Sequence, residues 1–371
     1  MKALRTLLAA TAAFFSLAVS AQDSIRLGQT LPLSGPLAEL GIEYRDGALA
    51  YFKAVNEKGG VHGRRIELVT LDDGYVVARS EENARRLLKE ERVLAFFGLF
   101  GTANVAALKP LIDEQGVPTL APYTGSDDLR KFNRHIFWLR ASYGDETEKM
   151  VEQLVSVGIK RIGVFYQNDA FGQSGLAGVE NALKKRGLAV AGKGAFEKNT
   201  VDVAAGVQAV AAADPQAVVL ISTYKPAAAF VREMKKMGKA PQLFTLSVVG
   251  FKALAAELGA DATGIAISQV VPFPWSATKP LVREFQKLPA SLAPPSGATF
   301  TTLEGYMAAK LMVEALRRAG PQPSREKLLA TLESMGEFDL GGVSVRYSPT
   351  SHSGSQYTEL TIVGRDGKLF R

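Results

Sequence analysis

The sequence predicts an α/β protein built on two parallel sheets with helices packed on both faces. Three observations carry this. Strands alternate with helices of about 10–15 residues, an order that only crossover-connected parallel strands satisfy. The strand–helix series runs once, then restarts near Arg140–Asp145. The run LAFFGL (94–99) is short and apolar throughout, as in a strand buried on both faces. The 371 residues exceed what one ordinary core organises and suit two domains of about 150–200 residues each.

In the first series, Ser24–Leu33 reads as a strand. Glu43–Lys58 carries Ala48, Tyr51, Phe52 and Val55 at helical spacing and is stopped by Gly59-Gly60. Arg65–Leu71 is a strand ending in Asp72-Asp73-Gly74, and Ser80–Glu90 is an amphipathic helix. After LAFFGL come a helix from Thr102 to Glu114, a strand at Pro118–Ala121 and the extended HIFWLR at His135–Arg140. In the second series, helices Asp145–Val157, Phe171–Arg186, Val203–Ala213 and Pro226–Lys236 alternate with strands Arg161–Tyr166, Ala189–Phe196, Ala217–Ser222 and Gln242–Leu246. Beyond Val270 the chain is broken by prolines. It then forms a long helix, Thr299–Ala319, with an apolar stripe from Leu303 to Leu316, a segment Ser324–Met335, and β-like pieces at Gly342–Tyr347 and Gln356–Val363.

Residues 1–21 read as a secretory signal peptide. Lys2 and Arg5 precede an apolar stretch from Leu7 to Val19, and Val19-Ser20-Ala21 offers small residues for cleavage after Ala21. The stretch is short for the ~20 residues of a membrane span. An uncleaved anchor is the weaker reading, and no later segment is long and apolar enough to insert. Removing Lys2 and Arg5 takes the formal charge from +7 to +5. The expected location is the periplasm.

Composition excludes several chemistries. With no cysteine there is no disulfide, thiolate metal site or cysteine nucleophile. The three histidines, His62, His135 and His352, are scattered, which argues against a zinc centre or a Ser–His–Asp triad. The 44 basic and 37 acidic side chains are interspersed, so no nucleic-acid arm is indicated. GLAVAGK (187–193) imitates a phosphate loop, but Gly194 stands where a hydroxyl should follow and the strand–loop–helix order is reversed. Ser174 lies in GQSG, not in a nucleophile elbow. Asp72 and Asp73 point in opposite directions at a strand end and read as a turn accepting backbone N–H bonds. No cofactor or metal is expected.

Ligands of open α/β sheets bind beyond the strand C-termini. Three small polar loops lie there: Ser34-Gly35-Pro36, Gly101-Thr102-Ala103-Asn104 and Tyr123-Thr124-Gly125-Ser126. Thr102 at a helix start is either a capping residue or part of an anion site using free N–H groups.

Six segments in order, LPLSGPLAELG, DGALAYFKAVNEKGGVHGRRIELVTLDDG, FFGLFGTANVAA, VPTLAPYTGSDDLR, RIGVFYQNDAFGQSGLAGVENALKKRG and TLEGYMAAKLMVEAL, resemble the branched-chain amino-acid-binding proteins of ABC transporters, the type I periplasmic solute-binding family. The resemblance runs from Ser24 to the C-terminus. It implies two Rossmann-like lobes joined by a three-crossover hinge, with lobe 1 at 24–142 and 272–347 and lobe 2 at 144–270 and 348–371. It also implies a ligand cleft closed by hinge rotation, an ABC permease as partner, a monomer and no enzymatic activity.

Carried over position by position, Thr102 with the backbone of Ala103 would meet a ligand carboxylate, and Tyr123 and Gly125 would lie on the next contact loop. Asp145 would open lobe 2. Phe171 and Tyr224 would be lobe-2 aromatics, and Thr301 would set specificity. The chain departs from the leucine-binding pattern in three places. Ser247-Val248-Val249 replaces the loop carrying the ammonium-binding carboxylate, Leu40 replaces an aromatic, and the lobe-1 disulfide is missing. The expected function is capture of a small carboxylate-bearing ligand, with an apolar or aromatic body and no amine favoured over an ordinary amino acid. In the latter case Asp145 would be the substitute ammonium acceptor. The alternatives are a periplasmic sensor signalling to a membrane receptor and, less favoured, a periplasmic enzyme using Asp72 or Asp145 as a base.

Overall fold

A computed structural model describes residues 24–371; the signal-peptide reading concerns residues outside that range. The first series builds β1 (Ile25–Leu31), α1 (Ala38–Glu57), β2 (Ile66–Asp72), α2 (Val77–Lys89), β3 (Ala95–Phe97), α3 (Thr102–Gln115), β4 (Thr119–Leu120) and β5 (Ile136–Phe137). Its five strands form one sheet in the order β2-β1-β3-β4-β5, every neighbour parallel. Successive residues of a strand face opposite sides, which explains how β3 serves two cores. Phe97 packs with Tyr44 and Phe52 of α1, whereas Phe96 joins Leu87, Val105 and Leu108 beneath α2 and α3.

The second series contributes α4 (Tyr143–Ser156), β6 (Ile162–Gln167), α5 (Ala170–Lys184), β7 (Lys193–Phe196), α6 (Ala204–Ala212), β8 (Ala217–Ile221), α7 (Tyr224–Lys236), β9 (Gln242–Thr245), α8 (Phe251–Leu258) and β10 (Ala266–Gln269). After α9 (Pro280–Gln286), α10 (Phe300–Ala319), α11 (Arg325–Glu333), β11 (Gly336–Asp339) and β12 (Ser344–Tyr347), the chain ends in β13 (Glu359–Val363) and β14 (Leu369–Phe370). The second sheet runs β14-β13-β10-β9-β8-β6-β7. The pairs from β10 through β7 are parallel. The β13–β14 hairpin adds to β10 in antiparallel sense, a departure from the all-parallel expectation, because a short hairpin at the chain end needs no crossover. Sequence reading also passed over α8, β10 and α9, whose 4–8 residues are too short for periodicity to separate from loop.

The long helix α10 returns to the first lobe and lies along α1. Glycines permit the close approach: a Cβ on Gly47 would sit 1.9 Å from the Thr302 carbonyl, and one on Gly305 would sit 2.0 Å from that of Tyr44. The stripe Leu303, Tyr306, Met307, Leu311, Val313 and Leu316 is buried. Two inter-sheet connections run side by side, since Trp138 N–H donates to the His352 carbonyl at 2.9 Å and Gly354 N–H to that of Trp138 at 2.9 Å.

Candidate functional site

The C-terminal ends of both sheets face one another across a cleft. The strand-end turn after β2 is built by its two aspartates, which turn apart. Asp72 accepts from the Leu33, Ser34 and Gly74 N–H groups and the Ser34 hydroxyl. Asp73 is buried and accepts from Tyr75 N–H at 2.8 Å, Ser80 Oγ at 2.8 Å and Thr30 Oγ1 at 3.0 Å. Neither is left free as a base, and the second holds Tyr75 at φ +64°, a region costly for a side-chain-bearing residue.

Tyr75 and ten other residues line a cavity of about 20 Å³, room for roughly one water molecule. The first lobe contributes Leu37, Leu40, Phe100, Gly101, Thr102 and Tyr123. Tyr143 comes from the connection between the sheets, and Phe171, Thr223 and Val248 from the second lobe. The walls are aromatic and preorganised. Phe100 stacks on Tyr123 with centroids 4.7 Å apart, and Tyr75 meets Phe100 edge-on at 6.1 Å, as Tyr143 meets Phe171 at 5.4 Å.

The polar features are few. The N-cap of α3 is Gly101, at φ +89°, and no side chain caps the helix. Thr102 is therefore the first helical residue rather than the cap. Its buried hydroxyl pairs with Thr124 Oγ1 at 2.7 Å, and Thr124 continues to the Tyr143 hydroxyl at 3.4 Å. An uncapped helix start with a hydroxyl beside it offers N–H donors and the positive end of the helix dipole. Helix α7 also begins without a side-chain cap, at Thr223 in the opposite wall.

Behind Tyr123 lies a buried ionic cluster. The Arg140 guanidinium, 1% exposed, sits 4.7 Å from the Tyr123 centroid. Arg140 donates to the Ser247 hydroxyl and approaches Glu304 at 3.6 Å and Glu146 at 3.8 Å. Glu146 accepts from the Ser247 N–H at 2.8 Å, the Ser247 hydroxyl at 3.0 Å and the Ser268 hydroxyl. Burial pushes Glu304 up to about 7 despite Arg140, and pushes Glu146 upward as well. Burial works against the charge of Arg140, but Glu304, Tyr123 and Glu146 more than offset it.

The expected site residues are thus divided. Thr102, Tyr123 and Phe171 share the cavity wall. Ala103 lies one residue further into α3, and Gly125 stands behind Tyr143, where a Cβ would be 2.6 Å from that ring. Tyr224 is buried beside Thr223 but outside the lining, and burial pushes its phenol up to about 12. Ser247 serves the Arg140–Glu146 cluster, while its neighbour Val248 faces the cavity. Thr301 is buried beside Tyr123 and Glu43, where hydrogen bonding works against the upward push of burial on both. Asp145, named as the substitute ammonium acceptor, stands at the start of α4. Its carboxylate accepts from Ser142 N–H at 2.9 Å in a capping box at the start of α4, away from the cavity lining. Sequence reading missed Tyr75, Phe100, Tyr143 and Thr223 as wall residues, although Thr223 is adjacent to a residue it singled out.

Residues 24–368 match the periplasmic binding protein family. The fold is similar to a possible leucine/isoleucine/valine-binding protein from Rhodopirellula baltica SH 1 (34% identity, 96% of this chain and 98% of that one, TM-score 0.90). It is also similar to a substrate-binding periplasmic protein from Ralstonia solanacearum (35% identity, 94% and 99%, TM-score 0.88). Leu/Ile/Val-binding protein homolog 7 of Brucella suis biovar 1 (strain 1330) is 25% identical across 96% of this chain and 93% of its own length. The chain therefore belongs to the periplasmic binding protein family, in its type I leucine/isoleucine/valine-binding branch.

Proposed function

We propose that the protein is the exported solute-binding component of an ABC importer, and that it captures a small carboxylic acid with an apolar or aromatic body and no α-amine. The observation that carries this reading is the chemistry of the cavity wall. The uncapped start of α3 and Thr102 supply donors for a carboxylate, while Asp and Glu are absent from the lining residues. A buried ammonium without an acceptor is very costly. Asp145 is engaged in its capping box, and Glu146 and Glu304 face Arg140. Tyr75, Phe100, Tyr123, Tyr143 and Phe171 offer flat surfaces to a ring or short chain. Because both lobes contribute walls, ligand contacts favour the closed state and so couple occupancy to a shape that a permease reads. The leader-like residues 1–21 support export.

Calorimetry on the mature chain with paired compounds tests this, each amino acid beside its deaminated acid: phenylalanine with phenylpropionate, leucine with 4-methylpentanoate. The acids are expected to bind and the amino acids to bind at least about tenfold more weakly, the lower end for losing a charge-assisted partner. Amino acids binding while their deaminated partners do not would overturn the ligand class.

A further inference from the structure

Lys198 follows β7 of the second sheet, yet its ammonium lies against the first lobe. Its Nζ donates to Asn104 Oδ1 on α3 at 3.0 Å and stands 3.8 Å from the centroid of the Tyr75 ring. The loop that carries it is tied down. The Thr200 N–H and hydroxyl both donate to the Glu197 carbonyl, at 3.3 and 3.0 Å, and Asn168 Nδ2 donates to the Glu197 carboxylate at 2.7 Å. Asn199 turns the chain at φ +62°, a region that asparagine tolerates.

The first lobe is built to receive this cation. Asn104 is buried, and its Nδ2 donates to Ser80 Oγ at 2.7 Å. Ser80 donates in turn to Asp73 Oδ2 at 2.8 Å, and Asp73 accepts from Tyr75 N–H. One buried network therefore fixes both the Asn104 amide, whose oxygen is turned to the lysine, and the backbone of Tyr75, whose ring meets the same ammonium. Burial pulls the Lys198 pKa down, while the charges of Asp169 and Asp73 favour its ammonium form. An amide oxygen, an aromatic ring and nearby carboxylates replace the water that the ammonium gives up. Lys252 of α8 also reaches across the cleft, but it is half exposed and 3.8 Å from Glu43 and 3.9 Å from Glu39, where water screens the attraction.

We propose that Lys198 is a latch between the lobes, docking in the socket of Asn104 and Tyr75 on closure and raising the closed population. This rests on the proposal that the lobes close on their ligand. Parting the lobes breaks both contacts together and returns the ammonium to water. Lys198 is not among the residues that line the cavity, so the latch adds to the affinity of any ligand without choosing among them.

The cysteine-free chain accepts nitroxide labels at Glu82→Cys on α2 and Gln208→Cys on α6, both exposed. Double electron–electron resonance then reads the distance between the lobes. Labelled chains with Lys198, Lys198→Met or Lys198→Arg are compared without ligand and with phenylpropionate or phenylalanine, and circular dichroism verifies each fold. The ratio of short to long distances is expected to fall roughly tenfold in Lys198→Met, the lower end for a hydrogen bond from a charged group. Lys198→Arg keeps the charge and the donors and should stay within about threefold of the parent. By calorimetry, Lys198→Met should weaken every binding compound of the paired set by one common factor. Distances that respond to ligand but match in the parent and Lys198→Met would overturn the latch and leave lobe closure standing. So would an arginine variant as open as the methionine one. A single distance in every sample would overturn closure and latch together.

Discussion

Arg140 and Glu304 meet inside the protein at 3.6 Å, with both side chains withdrawn from water. Glu304 comes from α10, packed on the first sheet, whereas the other partners of Arg140, Ser247 and Glu146, belong to the second lobe. The guanidinium thus ties two bodies at the back of the ligand wall and fixes the face of Tyr123.

Removing that cation strands two carboxylates. Arg140→Met is expected to destabilise the protein by about 3–5 kcal/mol, the cost of breaking a buried pair. Glu304→Gln should cost much less, because Glu304 is already pushed toward its neutral form and the amide keeps its shape. Urea unfolding of the three proteins checks the ranking; equal losses in both variants would show that packing, not charge pairing, dominates there.

Two buried glutamates, Glu304 in this cluster and Glu43 on α1, impose a pH dependence. Glu43 and Glu304 are both raised to about 7 by burial from an ordinary value of 4.5. Between those values the folded state holds more protons than the unfolded state, so these groups' contribution to stability is fully present below about 4.5 and is lost as pH rises through about 7. Glu43 accepts from Thr299 Oγ1 at 3.0 Å and lies 3.8 Å from Lys252. Its partners reduce the shift without abolishing it. Unfolding free energies measured at intervals from pH 4.5 to 7.5 should fall more steeply for the wild type than for Glu304→Gln or Glu43→Gln, by on the order of 1 kcal/mol per pH unit for each group removed. Parallel curves would contradict the shifts.

Thr102→Val separates ligand anchoring from structure. The hydroxyl pairs with Thr124 and caps nothing, so the free protein should lose no more than about 1 kcal/mol. Affinity for the bound acid is expected to fall roughly 10- to 150-fold, the range for a hydrogen bond to a charged group. Melting curves with and without ligand distinguish the outcomes. A lowered melting temperature with intact affinity would assign Thr102 to the fold alone.

Chain order and periodicity already contained the two sheets, because apolar runs of strand length, amphipathic helices of 9–20 residues and glycine stops are local signals. The same signals placed Thr102 and Tyr123 at strand ends, where a cleft had to lie, whereas Phe171 was singled out only by the family resemblance. Folding alone decided what those residues face. Asp145 and Ser247 were plausible ligand contacts as letters, but one closes a capping box and the other bridges Arg140 to Glu146. Tyr75 was unremarkable in sequence until Asp73 held its backbone and Lys198 covered its ring. Secondary structure depends on neighbours a few positions apart. A cavity is made where residues such as Leu37, Phe100, Tyr143 and Thr223, scattered along the chain, are brought together, and their side-chain directions are set by packing across lobes that no local pattern encodes.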